Sequence, residues 1–153
     1  MGKIKMKTLY QIGMIVSDAE AVLKQYENIF ELENVQLFKT SDPGVAFENH
    51  TRYGEPCDPY HLKVALFDMA GVNFELIEPL NESGDPYSDW LKAQNGKGGL
   101  HHICAFFEQD GATVAKTLLD AGGTLSHGAE MFKQAKFCFV DSEPLNLMFE
   151  VVL

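Results

Sequence analysis

Four polar residues stand at the centre of apolar, strand-like runs in this 153-residue chain. Gln11 lies in YQIGMIV, Glu75 in NFELI, His102 in HHICAFF and Glu150 in MFEVV. Side chains alternate between the faces of a strand, so Gln11 shares a face with Gly13 and Ile15, and His102 shares one with Cys104 and Phe106. A carboxylate in such a run is costly to bury as an anion unless a cation meets it. Apart from Lys63, no arginine or lysine holds an equivalent strand position. One divalent metal ion held by Gln11, Glu75, His102 and Glu150 would satisfy all four, its two charges balancing the two carboxylates. An imidazole, an amide oxygen and two carboxylates form a fairly hard donor set, suited to Zn, Ni, Co or Mn.

A single glutamate on a strand usually faces solvent, and a lone buried histidine is more often hydrogen-bonded than a ligand. What strengthens the metal reading is an internal repeat. YQIGMIVSDAEAVLKQYENIFEL opens as a strand, carries a helix-start signal at Asp18, and continues with Val22, Tyr26, Ile29 and Phe30 on one helical face. HHICAFFEQDGATVAKTLLDAGG repeats this from His101, with Val114, Leu118 and Ala121 on one face and a helix stop at Gly122-Gly123. Three extended segments follow each helix: NVQLFKT, HLKVALFDM and VNFELIEP in the first half, GTLSHGAEM, KFCFVDS and NLMFEVVL in the second. A turn at Ala70-Gly71 joins the last two of the first half. Laid together, Gln11 falls on His102 and Glu75 on Glu150.

Both halves therefore read β-α-β-β-β, an α+β pattern that one copy could hardly bury alone. Two copies together are expected to form a curved eight-stranded sheet with helices on its convex side. The expected layout is one domain over 1–153, with a first module at about 7–80, a linker at about 81–98 and a second module at about 99–153. The surplus length of the first half is TSDPGVAFENHTRYGEPCDPYH, residues 40–61, which reads as a long loop of the lid or binding type.

Composition narrows the function classes. The net charge is −10 and Arg52 is the only arginine, so the chain lacks the basic patch that nucleic acid binding requires. No run reaches the roughly 18 apolar residues of a membrane span. The charged N-terminus does not read as a secretory signal, and the three cysteines lack metal-type spacing, which fits a cytoplasmic protein with reduced thiols.

The segments YQIGMIVSD, NFELIEPL, GLHHICAFF and LMFEVVL resemble the vicinal oxygen chelate superfamily of glyoxalases, epimerases and ring-cleaving dioxygenases. The resemblance implies paired βαβββ modules in an incomplete eight-stranded barrel. It also implies one metal ligand from the first and one from the last strand of each module, which are Gln11, Glu75, His102 and Glu150 here. That set is similar to one found in some glyoxalase I (lactoylglutathione lyase) enzymes. FELIEPLNESGDPYSDWLKAQNGKGGLHHI looks most like methylmalonyl-CoA epimerases, in which a loop and short helix join the modules. The implied activity is a metal-dependent isomerase, epimerase or lyase acting at a carbon alpha to a carbonyl through an enediolate or enolate. The ion would polarise the carbonyl and a carboxylate would move the proton, with Glu150 the first choice of base and Glu75 the second. Dioxygenase chemistry fits less well, because Gln11 takes the place of one of two expected histidines. The rival reading is a non-catalytic small-molecule binding or resistance protein of the same fold, which would have little use for the complete quartet.

Smaller assignments complete the expectation of a small-molecule substrate. Arg52 and Tyr53 could clamp an anionic group, and Lys63 could serve as a substrate cation if it points inward. Trp90, Cys104 and Cys138 read as packing residues. His101 reads as structural, and His50, His61 and His127 as residues of loops or strand ends. Open sheet edges and the habit of the family predict a homodimer.

Overall fold

The computed structural model describes residues 2–133 and 135–153. The elements run β1 (Met6–Ile15), α1 (Ala19–Ile29), β2 (Glu33–Lys39), β3 (Phe47–Arg52), β4 (Glu55–Pro56), β5 (Leu62–Met69) and β6 (Val72–Pro79). They continue with α2 (Pro86–Ala93), β7 (Gly99–Phe107), α3 (Gly111–Asp120), β8 (Thr124–Met131), β9 (Ala135–Ser142) and β10 (Leu147–Val152). Both βαβββ copies are thus present, as β1-α1-β2-β5-β6 and β7-α3-β8-β9-β10. Insertion 40–61 differs from the expected loop, because it contributes β3 and β4. The polar sequence FENHTR hides a strand, since Asn49 takes a positive φ of 54° and a register shift between Glu48 and Thr51 breaks the two-residue period.

The chain divides into two compact units. The first comprises Gln11–Val45 and Tyr60–His101; the second comprises residues up to Tyr10, Ala46–Pro59 and His102–Leu153. In the first unit the strand order is β2-β5-β6-β1. A two-residue turn at Ala70 and Gly71, both at positive φ, closes the β5–β6 hairpin and pairs Met69 with Val72. Helix α1 begins at Asp18, whose carboxylate accepts from the Ala21 N–H at 3.0 Å. Its Ala19 and Leu23, with half-buried Val22 and Tyr26, cover Ala65, Phe67 and Leu76 of the sheet. Ile29 and Phe30 depart from the expected face and are 69% and 51% exposed. Ile29 closes the last turn, and Phe30 has left the helix for extended backbone, so helical spacing no longer carries it inward.

In the second unit the order is β7-β10-β9-β8-β3-β4, with β3 antiparallel to β8. Asp110 caps α3 by accepting from the Thr113 N–H at 2.8 Å. Val114 and Leu118 pack on Cys138, Val140, Phe149 and Val151. Ala121 lies past the helix end as its cap and is exposed, correcting its assignment to the buried face. The stop at Gly122-Gly123 forms as expected: Gly122 has φ +101°, and the Gly123 N–H donates to the Leu118 carbonyl at 2.9 Å. Among the described residues no helix is long and apolar enough to cross a membrane.

Candidate metal centre

In the first unit the residues packed on α1 include Met14 of β1 and Val16 just after it, Ala65 and Phe67 of β5, and Phe74 and Leu76 of β6. Strand alternation therefore turns Gln11 and Glu75 to the opposite face. Parallel pairing sets Gln11 opposite Asn73 and Gly13 opposite Glu75. The two ligand candidates are diagonal neighbours, and the β1 residue directly across from Glu75, Gly13, has no side chain. Gln11 is buried, and its Nε2 donates to Asn73 Oδ1 at 2.8 Å.

The second unit repeats the arrangement. Ile103, Phe107, Phe149 and Val151 face α3, which leaves His102 and Glu150 on the other face. His102 pairs with Met148 and Cys104 with Glu150, the same diagonal as Gln11 and Glu75. His102 is 0% exposed, and Phe139 packs edge-on against its ring at 4.9 Å. Its Nε2 lies 3.6 Å from Glu150 Oε2, and the Glu150 side chain is 15% exposed. Each unit thus joins a first-strand donor and a last-strand carboxylate on the face away from its helix.

The chemistry of these atoms fits a divalent ion. In the first unit, the Gln11 amide places its nitrogen on Asn73, so its oxygen is the end directed elsewhere. In the second unit, an imidazole nitrogen and a carboxylate oxygen lie close enough to serve as adjacent ligands. Among the described residues there is no group of three or more His, Cys, Asp and Glu side chains in metal-holding geometry. Within each unit the arrangement is a pair.

Other candidates fall elsewhere. Lys63 belongs to the α1 side of β5, where its Nζ bonds Glu20 Oε2 at 3.1 Å. That hydrogen bond holds the ammonium above the ordinary lysine range. Arg52 closes β3, with its guanidinium 5.4 Å from the centre of the Tyr53 ring. Trp90 and Tyr87 of α2 meet the buried His101 ring at 5.4 and 6.0 Å, which makes His101 and Trp90 packing partners as expected. His50 and His127 differ from their placement in loops or strand ends. Both are buried within strands, and His127 stacks on Phe139 at 4.2 Å. Asn73, which holds Gln11, carried no signal of its own in the sequence. The Ala70-Gly71 turn was the available clue, because it fixes Asn73 opposite Asp68 and on the face of Glu75.

Cys104 and Cys138 are core residues, and burial first, then the charge of Glu150, pushes the Cys138 thiol up to about 11. The folded value is raised, so this thiol's contribution to stability is full below the ordinary thiol range and is lost as pH rises through about 11. Titration of native protein with a thiol reagent at pH 8 is expected to modify Cys57, which is partly exposed, while Cys104 and Cys138 react only in denaturant. Rapid modification of all three in the native state would contradict this packing.

The Glyoxalase/Bleomycin resistance protein/Dioxygenase superfamily model matches residues 10–139. The chain belongs to that superfamily. It is similar in structure to methylmalonyl-CoA epimerase from Mycobacterium tuberculosis, with TM-score 0.67, 15% identity, and 99% of this chain and 91% of that one covered. A Streptomyces coelicolor methylmalonyl-CoA epimerase variant in complex with 2-nitronate-propionyl-CoA gives TM-score 0.62 at 19% identity, covering 97% and 94%. A hypothetical protein from Bacillus halodurans gives TM-score 0.62 at 19% identity, covering 94% and 91%. No curated protein matches the chain.

Proposed function

We propose that the chain is an isomerase or epimerase that moves a proton at a carbon alpha to a carbonyl, with one divalent metal ion held by Gln11, Glu75, His102 and Glu150. The observation that carries the reading is the repeated diagonal, Gln11 with Glu75 and His102 with Glu150, formed independently in each unit. When bound, the ion would supply Lewis-acid polarisation of the substrate carbonyl. Glu150 takes the α-proton on its carboxylate and returns it to carbon, either on the opposite face or at the neighbouring position. The buried imidazole of His102 lies beside that carboxylate, Nε2 to Oε2 at 3.6 Å. Glu75 is the second carboxylate available for the same task.

The epimerase relatives make an acyl-CoA thioester the first substrate class to test, with hemithioacetals next. CoA carries several phosphates, so the net charge of −10 and the single arginine weigh mildly toward the less phosphorylated hemithioacetals. The test is exchange of the α-hydrogen for deuterium, followed by proton NMR in D2O across a panel of both classes. Catalysed exchange in at least one class is the expected result. Tight binding without exchange in either class would move the reading to a small-molecule binding protein on the same fold.

A further inference from the structure

We propose that Asp68, acting through Asn73, sets the orientation of the Gln11 amide and so presents its carbonyl oxygen as the ligand atom. The orientation follows from the first unit alone; its use in holding a cation rests on the reading above.

A side-chain amide has two ends of similar size and opposite chemistry. The oxygen accepts hydrogen bonds and binds cations, whereas the NH2 only donates. Gln11 Nε2 donates to Asn73 Oδ1 at 2.8 Å, but Asn73 is itself an amide and could fix nothing unless its own far end were fixed. That end is fixed. Asn73 Nδ2 donates to Asp68 Oδ1 at 2.9 Å and lies 3.4 Å from the Phe67 carbonyl oxygen. An ionised carboxylate and a backbone carbonyl are acceptors only, so reversing Asn73 would set its oxygen against two oxygens. Asp68 Oδ2 accepts in turn from Asn34 Nδ2 at 2.8 Å. The two amide donors, Asn73 first, also hold the Asp68 carboxyl below the usual carboxylate range.

The fold builds this relay as one row across three strands. The two-residue turn sets Asp68 of β5 opposite Asn73 of β6, and parallel pairing sets Asn73 opposite Gln11 of β1. The matching row of the second unit sets Met148 opposite His102. The polar row therefore occurs where the first-strand donor is an amide, the one ligand type whose wrong end cannot bind a cation. Asp68 and Asn73 are positioning residues; neither is assigned contact with the substrate.

The test is Asp68→Asn, an isosteric change at a half-exposed site that allows the relay to run in either direction. Two quantities are read: solvent exchange of the Gln11 side-chain amide protons in chelator-treated protein by 15N NMR, and affinity for Zn(II) by competition with a chromophoric chelator. The Gln11 signals are assigned by their loss in Gln11→Ala. Amide exchange is expected to accelerate about tenfold and Zn(II) affinity to fall about tenfold, the lower end of what losing an outer partner of a ligand costs. Asn73→Met, which copies the residue opposite His102, is expected to lower affinity to the same extent. Unchanged amide exchange in Asp68→Asn, or faster exchange with Zn(II) affinity unchanged in both variants, would overturn the proposal. If the unmodified protein takes up none of Zn, Ni, Co or Mn, the quartet reading fails separately, and the amide exchange still decides what orients Gln11.

Discussion

Glu150→Gln is expected to reduce α-hydrogen exchange by about 10²–10⁴-fold, the usual contribution of a positioned general base. Glutamine keeps an oxygen at the same reach but cannot take up a proton at neutral pH, so the loss should fall on kcat with KM little changed. The fold should be unaffected, because the Glu150 side chain remains 15% exposed and its strand is held by ladder pairing to β7 and β9. Glu75→Gln is the comparison: it should cost less if Glu150 is the base, and more if the roles are exchanged. Full exchange activity in Glu150→Gln would remove that residue from the mechanism.

The largest stability loss is expected at Phe67. Its side chain is 0% exposed, stacks on Phe74 with ring centres 5.5 Å apart, and meets Tyr26 of α1 at 5.0 Å. Phe67→Ala removes the residue that joins helix to sheet in the first unit. It should cost about 3–5 kcal/mol, since the cavity can collapse only partly. For a chain of this size that corresponds to a Tm lower by on the order of 10 °C. Ile29→Ala, at a side chain 69% exposed, should stay within about 0.5 kcal/mol of the parent. Denaturant unfolding of both variants checks the pair. A loss below about 1 kcal/mol at Phe67 would mean that α1 is not held by this contact.

The repeat was readable because each copy keeps the same order of strand, helix and three strands, and because the start at Asp18 and the stop at Gly122-Gly123 are short-range signals. The pairing of Gln11 with Glu75, and of His102 with Glu150, follows from alternation once strand order is known, and the ladders have the corresponding diagonals. What escaped was structure decided by partners distant in sequence. β3 is a strand because β8 lies beside it, and FENHTR alone offers no two-residue period. Ile29 and Phe30 had helical spacing, but the helix ends before it can use them. His127 resembles a strand-end histidine until Phe139 is set against its ring. The relay from Asp68 to Gln11 joins two hairpin positions to a strand more than fifty residues earlier, so the polar residues forming it looked like ordinary surface choices.

The central proposal is that Gln11, Glu75, His102 and Glu150 hold one divalent ion. Elemental analysis of untagged protein, purified in parallel with His102→Ala, tests it most directly. Zn, Ni, Co or Mn is expected at close to one equivalent per chain in the parent and none in a variant that remains folded by circular dichroism. An absence of metal in the parent, with no uptake when Mn, Co, Ni or Zn is added, would contradict it.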